Sequence, residues 1–158
     1  MFEHQKILIL GFARSGYEVA KLLRKRDNQV IINDGKPEEK HDSAKIQELK
    51  DLGVEFVFGS HPDNLLDNSF QYLIKNPGVP IDHSYVVKAK DLGIEVMNET
   101  ELAYRLLPKD KNIKLIGITG TNGKTTTTTL IYNFIKEDGK RRRKQIIFCL
   151  FSELLLIH

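Results

Sequence analysis

An α/β fold built around a parallel sheet is predicted by three features of the 158-residue sequence. Short apolar runs alternate with amphipathic stretches, the pattern of repeated strand–helix–strand units. The first apolar run leads straight into a glycine turn, GFARSG (11–16). A later one, KLIGIT (114–119), leads into TGTNGKTT, a loop of the phosphate-binding kind.

The elements follow in order. KILIL (6–10) reads as a buried strand and GFARSG as a turn, and YEVAKLLRKR (17–26) sets Val19, Ala20, Leu22 and Leu23 on one helical face. QVIIN (29–33) is the next strand, closing on Asp34-Gly35. SAKIQELKDLG (43–53) has a serine suited to an N-cap, Ile46 and Leu49 on one face, and a glycine at its stop. VEFVF (54–58), YLIK (72–75) and IEVM (94–97) are further strands, with SYVVKAKDLG (84–93) the helix between the last two. NETELAYRLL (98–107) reads as a helix opened by Asn98, and Pro108 stops it. The polar KDKN (109–112) is the expected domain boundary. The expected organisation is a domain over 1–108, the start of a second over 113–139, and a tail over 140–158.

With 41% hydrophobic and 28% charged residues, the composition is that of a soluble globular protein. The single cysteine, Cys149, excludes an internal disulfide framework and fits a cytoplasmic location. The opening MFEHQKILILGF has too short an apolar run for a secretory signal. Residues 140–158 carry five basic side chains and one acid, a net +4 against +3 for the whole chain, which leaves −1 for residues 1–139. A near-neutral body argues against nucleic-acid binding. His4, His41, His61, His83 and His158 show no ligand-like spacing and are read as surface or loop residues, and no isolated pair of carboxylates stands out.

Three motifs carry chemistry. GFARSG resembles the dinucleotide fingerprint GxGxxG, with Ala13 in place of the middle glycine that lets a backbone approach pyrophosphate. Asp34 follows Gly16 by 18 residues, where an acid meets a ribose or a base. The first domain is therefore Rossmann-like, its turn serving a nucleotide or nucleotide sugar, or only tight strand–helix packing. KNPGVP (75–80) follows the fourth strand, where open parallel sheets bind ligands, and is either a site wall or a plain tight turn. In the third motif, the backbone of Thr119, Gly120, Thr121, Asn122 and Gly123 can turn N–H groups toward phosphate oxygens. Lys124 supplies the charge that follows the β- and γ-phosphates of ATP, the Thr125 hydroxyl a ligand for Mg²⁺, and Thr126 completes the expected ATP-binding set. The strict pattern GxxxxGK[ST] wants glycine at 118, where Ile118 stands; the glycines fall at 117 and 120. The expected element is the opening strand–P-loop–helix of an incomplete P-loop ATPase domain.

A Rossmann-like domain with an altered glycine turn, then NPG, then TGTNGKTT near residue 120, resembles the N-terminal part of the Mur ligases over about residues 5–138. GFARSG, NDGK, KNPGVP and NETELAY narrow the resemblance to the member that adds D-glutamate to UDP-N-acetylmuramoyl-L-alanine. It implies an ATP-dependent ligase of peptidoglycan precursor synthesis, in which the substrate carboxylate attacks the γ-phosphate and the amine of D-glutamate displaces phosphate from the acyl phosphate. It also implies a chain that is usually monomeric, with a first domain that holds the UDP end of the substrate. By motif match, Arg14 and Ser15 contact the UDP group, Asp34, Gly35 and Lys36 meet the uracil region, and Asn76, Pro77 and Gly78 wall the site. Lys124 and Thr125 serve ATP and Mg²⁺.

After IYNFIKEDG (131–139) the family pattern is lost, because KRRRKQIIFCLFSELLLIH lacks the expected glycines and acids. A truncated or frameshifted, catalytically inactive product is expected. The other readings are a nicotinamide-dinucleotide-binding oxidoreductase domain, and a non-catalytic membrane-associated module using the tail. The tail's apolar run, 146–157, falls short of the ~20 residues that span a bilayer, so stable insertion is not expected.

Overall fold

The computed structural model describes residues 2–107, 115–118, 120–142, 147–150 and 153–155. The chain divides into two compact units, Met1–Leu102 and Ala103–His158. The boundary expected at 109–112 lies outside the described residues.

In the first unit, β1 (Lys6–Leu10), β2 (Gln29–Asp34), β3 (Glu55–Phe58), β4 (Tyr72–Lys75) and β5 (Glu95–Asn98) form one sheet. Its order is β3-β2-β1-β4-β5, with every neighbouring pair parallel. Central strands of such sheets are covered on both faces, and β1 accordingly buries every residue from Ile7 to Leu10. Leu8, Leu10, Ile31 and Leu73 share one face with Tyr85, Val86 and Ala89 of α3 (Ser84–Asp91). The alternation of side chains sends Ile7, Ile9, Ile32 and Ile74 to the opposite face, where all four are buried. Gly16 of α1 (Arg14–Arg24) lies there, so close that a Cβ on it would sit 3.6 Å from Ile9 Cγ2.

Two sequence expectations are corrected at helix starts. The turn after β1 is shorter than GFARSG, because α1 opens at Arg14 and takes Ser15 and Gly16 into its first turn. In α2 (Ser43–Asp51) the cap is Asp42, not Ser43: its Oδ1 accepts from Ala44 N at 3.0 Å and Lys45 N at 3.3 Å. Either residue type can cap, and the one whose backbone stays extended does so. Asn98 caps α4 (Glu99–Arg105) as expected, its Oδ1 accepting from Glu101 N at 2.8 Å.

The second unit contains β6 (Leu115–Ile118), α5 (Lys124–Arg142), β7 (Ile147–Leu150) and β8 (Glu153–Leu155). β7 pairs parallel with β6 and antiparallel with β8. The helix runs on through Gly139 to Arg142, and the expected tail, 140–158, supplies two strands. Among the described residues no helix is long and apolar enough to cross a membrane.

Candidate functional site

In the first unit the chain winds in opposite directions on the two sides of the β1–β4 pair, so a crevice opens beyond the carboxyl ends of these two strands. Two turns meet there. Gly11 leaves β1 with φ +100° and donates its N–H to Asn33 O at 2.8 Å, while Asn76 N donates to Leu10 O at 2.9 Å. A Cβ on Gly11 would lie 2.9 Å from the Asn76 Cβ, so only glycine lets the two turns approach this closely. A Cβ on Gly16 would lie 2.7 Å from Gly11 O. The outer glycines of GFARSG therefore serve backbone packing, and no side-chain cap closes the N-terminus of α1 at Ala13. Arg14 and Ser15, the first two residues of that helix, stand at its positive end.

KNPGVP forms a braced turn. Val79 N donates to Asn76 O at 2.9 Å and Gly78 N to Asn76 Oδ1 at 3.0 Å, with Pro77 at the position where its fixed φ suits a turn. Lys75 Nζ donates to Val79 O at 2.8 Å. The remaining capacity of the Asn76 side chain points to the other turn: Nδ2 donates to Ser15 Oγ at 3.2 Å and to Glu99 Oε1 at 3.2 Å. Ser15 Oγ donates to the same Glu99 oxygen at 3.0 Å. Burial pushes the Glu99 carboxyl above its usual range, against smaller downward pulls that include the bonds from Ser15 and Asn76 and the charge of Lys75. Glu99 joins the two turns, though the sequence marked it only as a member of NETELAYRLL. Its signal was position, directly after the last strand, at the carboxyl edge of the sheet.

Asp34 stands at the end of β2 as expected, but its carboxylate is engaged by backbone. Oδ2 accepts from Phe12 N at 2.7 Å and Oδ1 from Lys36 N at 2.9 Å, which ties the β1–α1 turn to the β2 turn. Gly35 leaves room for a ring, because a Cβ there would be 3.0 Å from His61 Nε2. Lys36 is exposed. His41 lies in a loop, one of the two places expected for it, but its side chain is buried: 8% exposed, stacked on Phe58 at 4.9 Å and packed on Phe12 at 5.3 Å, with Nε2 3.7 Å from Asp34 Oδ1.

The second unit presents the other expected site. Gly120 (φ +149°) and Gly123 (φ +77°) bend the loop, and nothing lies within 4 Å of a Cβ placed on Gly123. Thr127 N donates to Gly123 O at 2.9 Å, which opens α5. Lys124 Nζ folds back to donate to the carbonyls of Gly120 and Thr121. Thr121, Asn122, Thr125 and Thr126 are exposed, and Thr119 lies outside the described residues. Thr128 and Thr129 donate their hydroxyls to the carbonyls of Lys124 and Thr125, which is how β-branched residues are accommodated in this helix. Open glycines, a helix N-terminus and a lysine head at one loop fit a polyphosphate. For a divalent cation the described donors offer the Thr125 hydroxyl, and no cluster of three or more His, Cys, Asp or Glu is present among the described residues.

A parallel sheet with a glycine turn and a second turn facing each other across its switch point gives the first unit a Rossmann-like architecture. The family model described as Mur ligase MurD-like, N-terminal domain, matches residues 5–98. The chain belongs to this family. It is 51% identical over 126 residues to UDP-N-acetylmuramoylalanine–D-glutamate ligase of Enterococcus hirae, covering 80% of this chain and 26% of that protein. It is 46% identical over 142 residues to the ligase of the same name from Streptococcus mutans, covering 90% and 30%. Among solved structures it is similar to UDP-N-acetylmuramate-alanine ligase MurC of Thermotoga maritima, with TM-score 0.56, 26% identity, and 91% and 31% of the two chains covered. The pseudomurein peptide ligase type C of Methanothermus fervidus follows at TM-score 0.52, 25% identity, and 85% and 26% coverage. The chain spans under a third of the length of these curated relatives.

Proposed function

We propose that this chain carries the UDP-substrate-binding domain and the ATP loop of a cytoplasmic ligase that adds D-glutamate to UDP-N-acetylmuramoyl-L-alanine, a step of peptidoglycan precursor synthesis. The observation that carries this reading is the meeting of the Ser15 and Asn76–Gly78 turns at the switch point of a domain that matches the MurD-like family. In it, the N-terminus of α1 with Arg14 and Ser15 receives the diphosphate, and Asn76, Pro77 and Gly78 form the wall. Asp34, Gly35 and Lys36 border the uracil, where the Lys36 ammonium offers a point charge. Ala13, at the N-cap of α1, stands where a nicotinamide dinucleotide would want glycine.

Lys124 would hold the β- and γ-phosphates of ATP, and the Thr125 hydroxyl would ligate Mg²⁺, which supplies charge neutralisation when bound. In the complete enzyme the substrate carboxylate is activated as an acyl phosphate and then captured by the amine of D-glutamate. Such transfer depends on positioning and charge neutralisation from several directions. With Lys124 as the loop's one cation and Thr125 as its proposed metal ligand, binding without turnover is expected.

Calorimetric titration of the chain with UDP-N-acetylmuramoyl-L-alanine and, separately, with NADH tests the reading. Heat from the first and none from the second is expected, with no D-glutamate-dependent release of phosphate from ATP. Binding of NADH in preference to the UDP compound would replace the reading with an oxidoreductase domain.

A further inference from the structure

The bridge between the two turns is made by a third element. Ser15 belongs to α1, Asn76 to the turn after β4, and Glu99 opens α4, and one carboxylate oxygen accepts from both of the others. Glu99 is 5% exposed, and its second oxygen, Oε2, is buried without a hydrogen-bond partner. A carboxyl in such a place is costly: burying it opposes folding unless its bonds are complete. An apolar side chain of the same size would fill this space at lower cost, so packing does not explain an acid here. Its geometry does. A single sp² oxygen with two lone pairs can hold a hydroxyl and an amide at once, and it fixes their separation.

We propose that Glu99 is a positioning residue, clamping Ser15 at the start of α1 to the Asn76–Gly78 turn and so setting the width of the crevice that admits a nucleoside diphosphate. The inference rests on the UDP-binding reading of this crevice, and it adds a residue that touches no ligand itself. The clamp uses acceptor geometry, not charge. A glutamine in its place keeps the doubly accepting oxygen, whereas alanine removes it and frees both turns.

Two measurements on the full chain test this. The first is amide hydrogen exchange at residues 14–16 and at Asn76, Gly78 and Val79, the N–H-bearing residues of 76–79. Glu99→Ala is expected to speed exchange at both turns together, and Glu99→Gln to leave it within about threefold of the parent. The second is calorimetric titration with UDP: Glu99→Ala loses affinity at least tenfold, and Glu99→Gln stays near the parent. Exchange unchanged in Glu99→Ala overturns the clamp. Equal impairment of the alanine and glutamine variants in both measurements overturns it too, since that would mark a charge or packing role. Should Glu99→Ala fail to fold, Ser15→Ala takes its place, expected to speed exchange at 76–79 from a distance of 61 residues in sequence. A parent chain that binds no UDP removes the ligand reading, while the exchange experiment still decides whether Glu99 couples the turns.

Discussion

Gly16→Ala sets two structural forces against each other in the helix that faces the crevice. Within an α-helix alanine is favoured over glycine by about 1 kcal/mol, so a reading from helix propensity alone predicts a more stable protein. The structure predicts the reverse. A Cβ at residue 16 would sit 2.7 Å from Gly11 O, a backbone atom held in place by the Gly11 N to Asn33 O bond. Neither partner is the end of a flexible side chain, so α1 must move off β1 by several tenths of an ångström. Overpacking costs about 1–3 kcal/mol, and a forced shift of backbone against backbone places this case at about 2–3. Set against the propensity gain, a net loss of about 1–2 kcal/mol is expected, which for a unit of this size lowers the melting temperature by roughly 4–15 °C. Urea denaturation followed by circular dichroism measures it directly: the midpoint falls at unchanged slope. A midpoint equal to or above that of the parent refutes the packing role assigned to this glycine.

Two further outcomes follow from particular contacts. Asp42→Ala is expected to cost about 1 kcal/mol, the usual worth of an N-cap, whereas Ser43→Ala is neutral, and denaturation midpoints of the two variants separate the rival caps. His83 caps α3 by accepting from Tyr85 N, and burial, with His61 beside it, holds its pKa below the ordinary histidine value. A depressed histidine favours the fold in its neutral form. That contribution is complete above the unfolded pKa of about 6.5 and is lost as pH falls below it. The denaturation midpoint should therefore drop between pH 7 and pH 5, and His83→Asn, which keeps a capping oxygen but cannot titrate, should flatten that drop.

Periodicity and turn chemistry are local properties, and they determined much of this protein. The alternation of apolar runs with amphipathic helices dictated the parallel sheet, because a strand covered on both faces must be apolar throughout, as Ile7 to Leu10 are. GFARSG, KNPGVP and TGTNGKTT marked the turns because glycine permits close backbone approach or positive φ and proline fixes a turn's φ. Competition between neighbours was not legible: Asp42 and Ser43 are both capable caps, and only the backbone geometry chose between them. α5 continues through Gly139, because one glycine costs a helix about 1 kcal/mol and does not by itself end it.

What depended wholly on tertiary structure was the convergence of residues far apart in the chain. Asp34 turned out to brace its own turn through Phe12 and Lys36, and His41 to lie against Phe58 and Phe12. Glu99 is one of 21 acids in the sequence, and nothing local distinguishes it from Glu101 two residues on. The fold does, since the order β3-β2-β1-β4-β5 sets the ends of β1, β4 and β5 side by side. Side chains 23 and 84 residues apart can then share one oxygen. Sequence specifies which elements form; their side-by-side pairing decides which of their polar ends must satisfy one another.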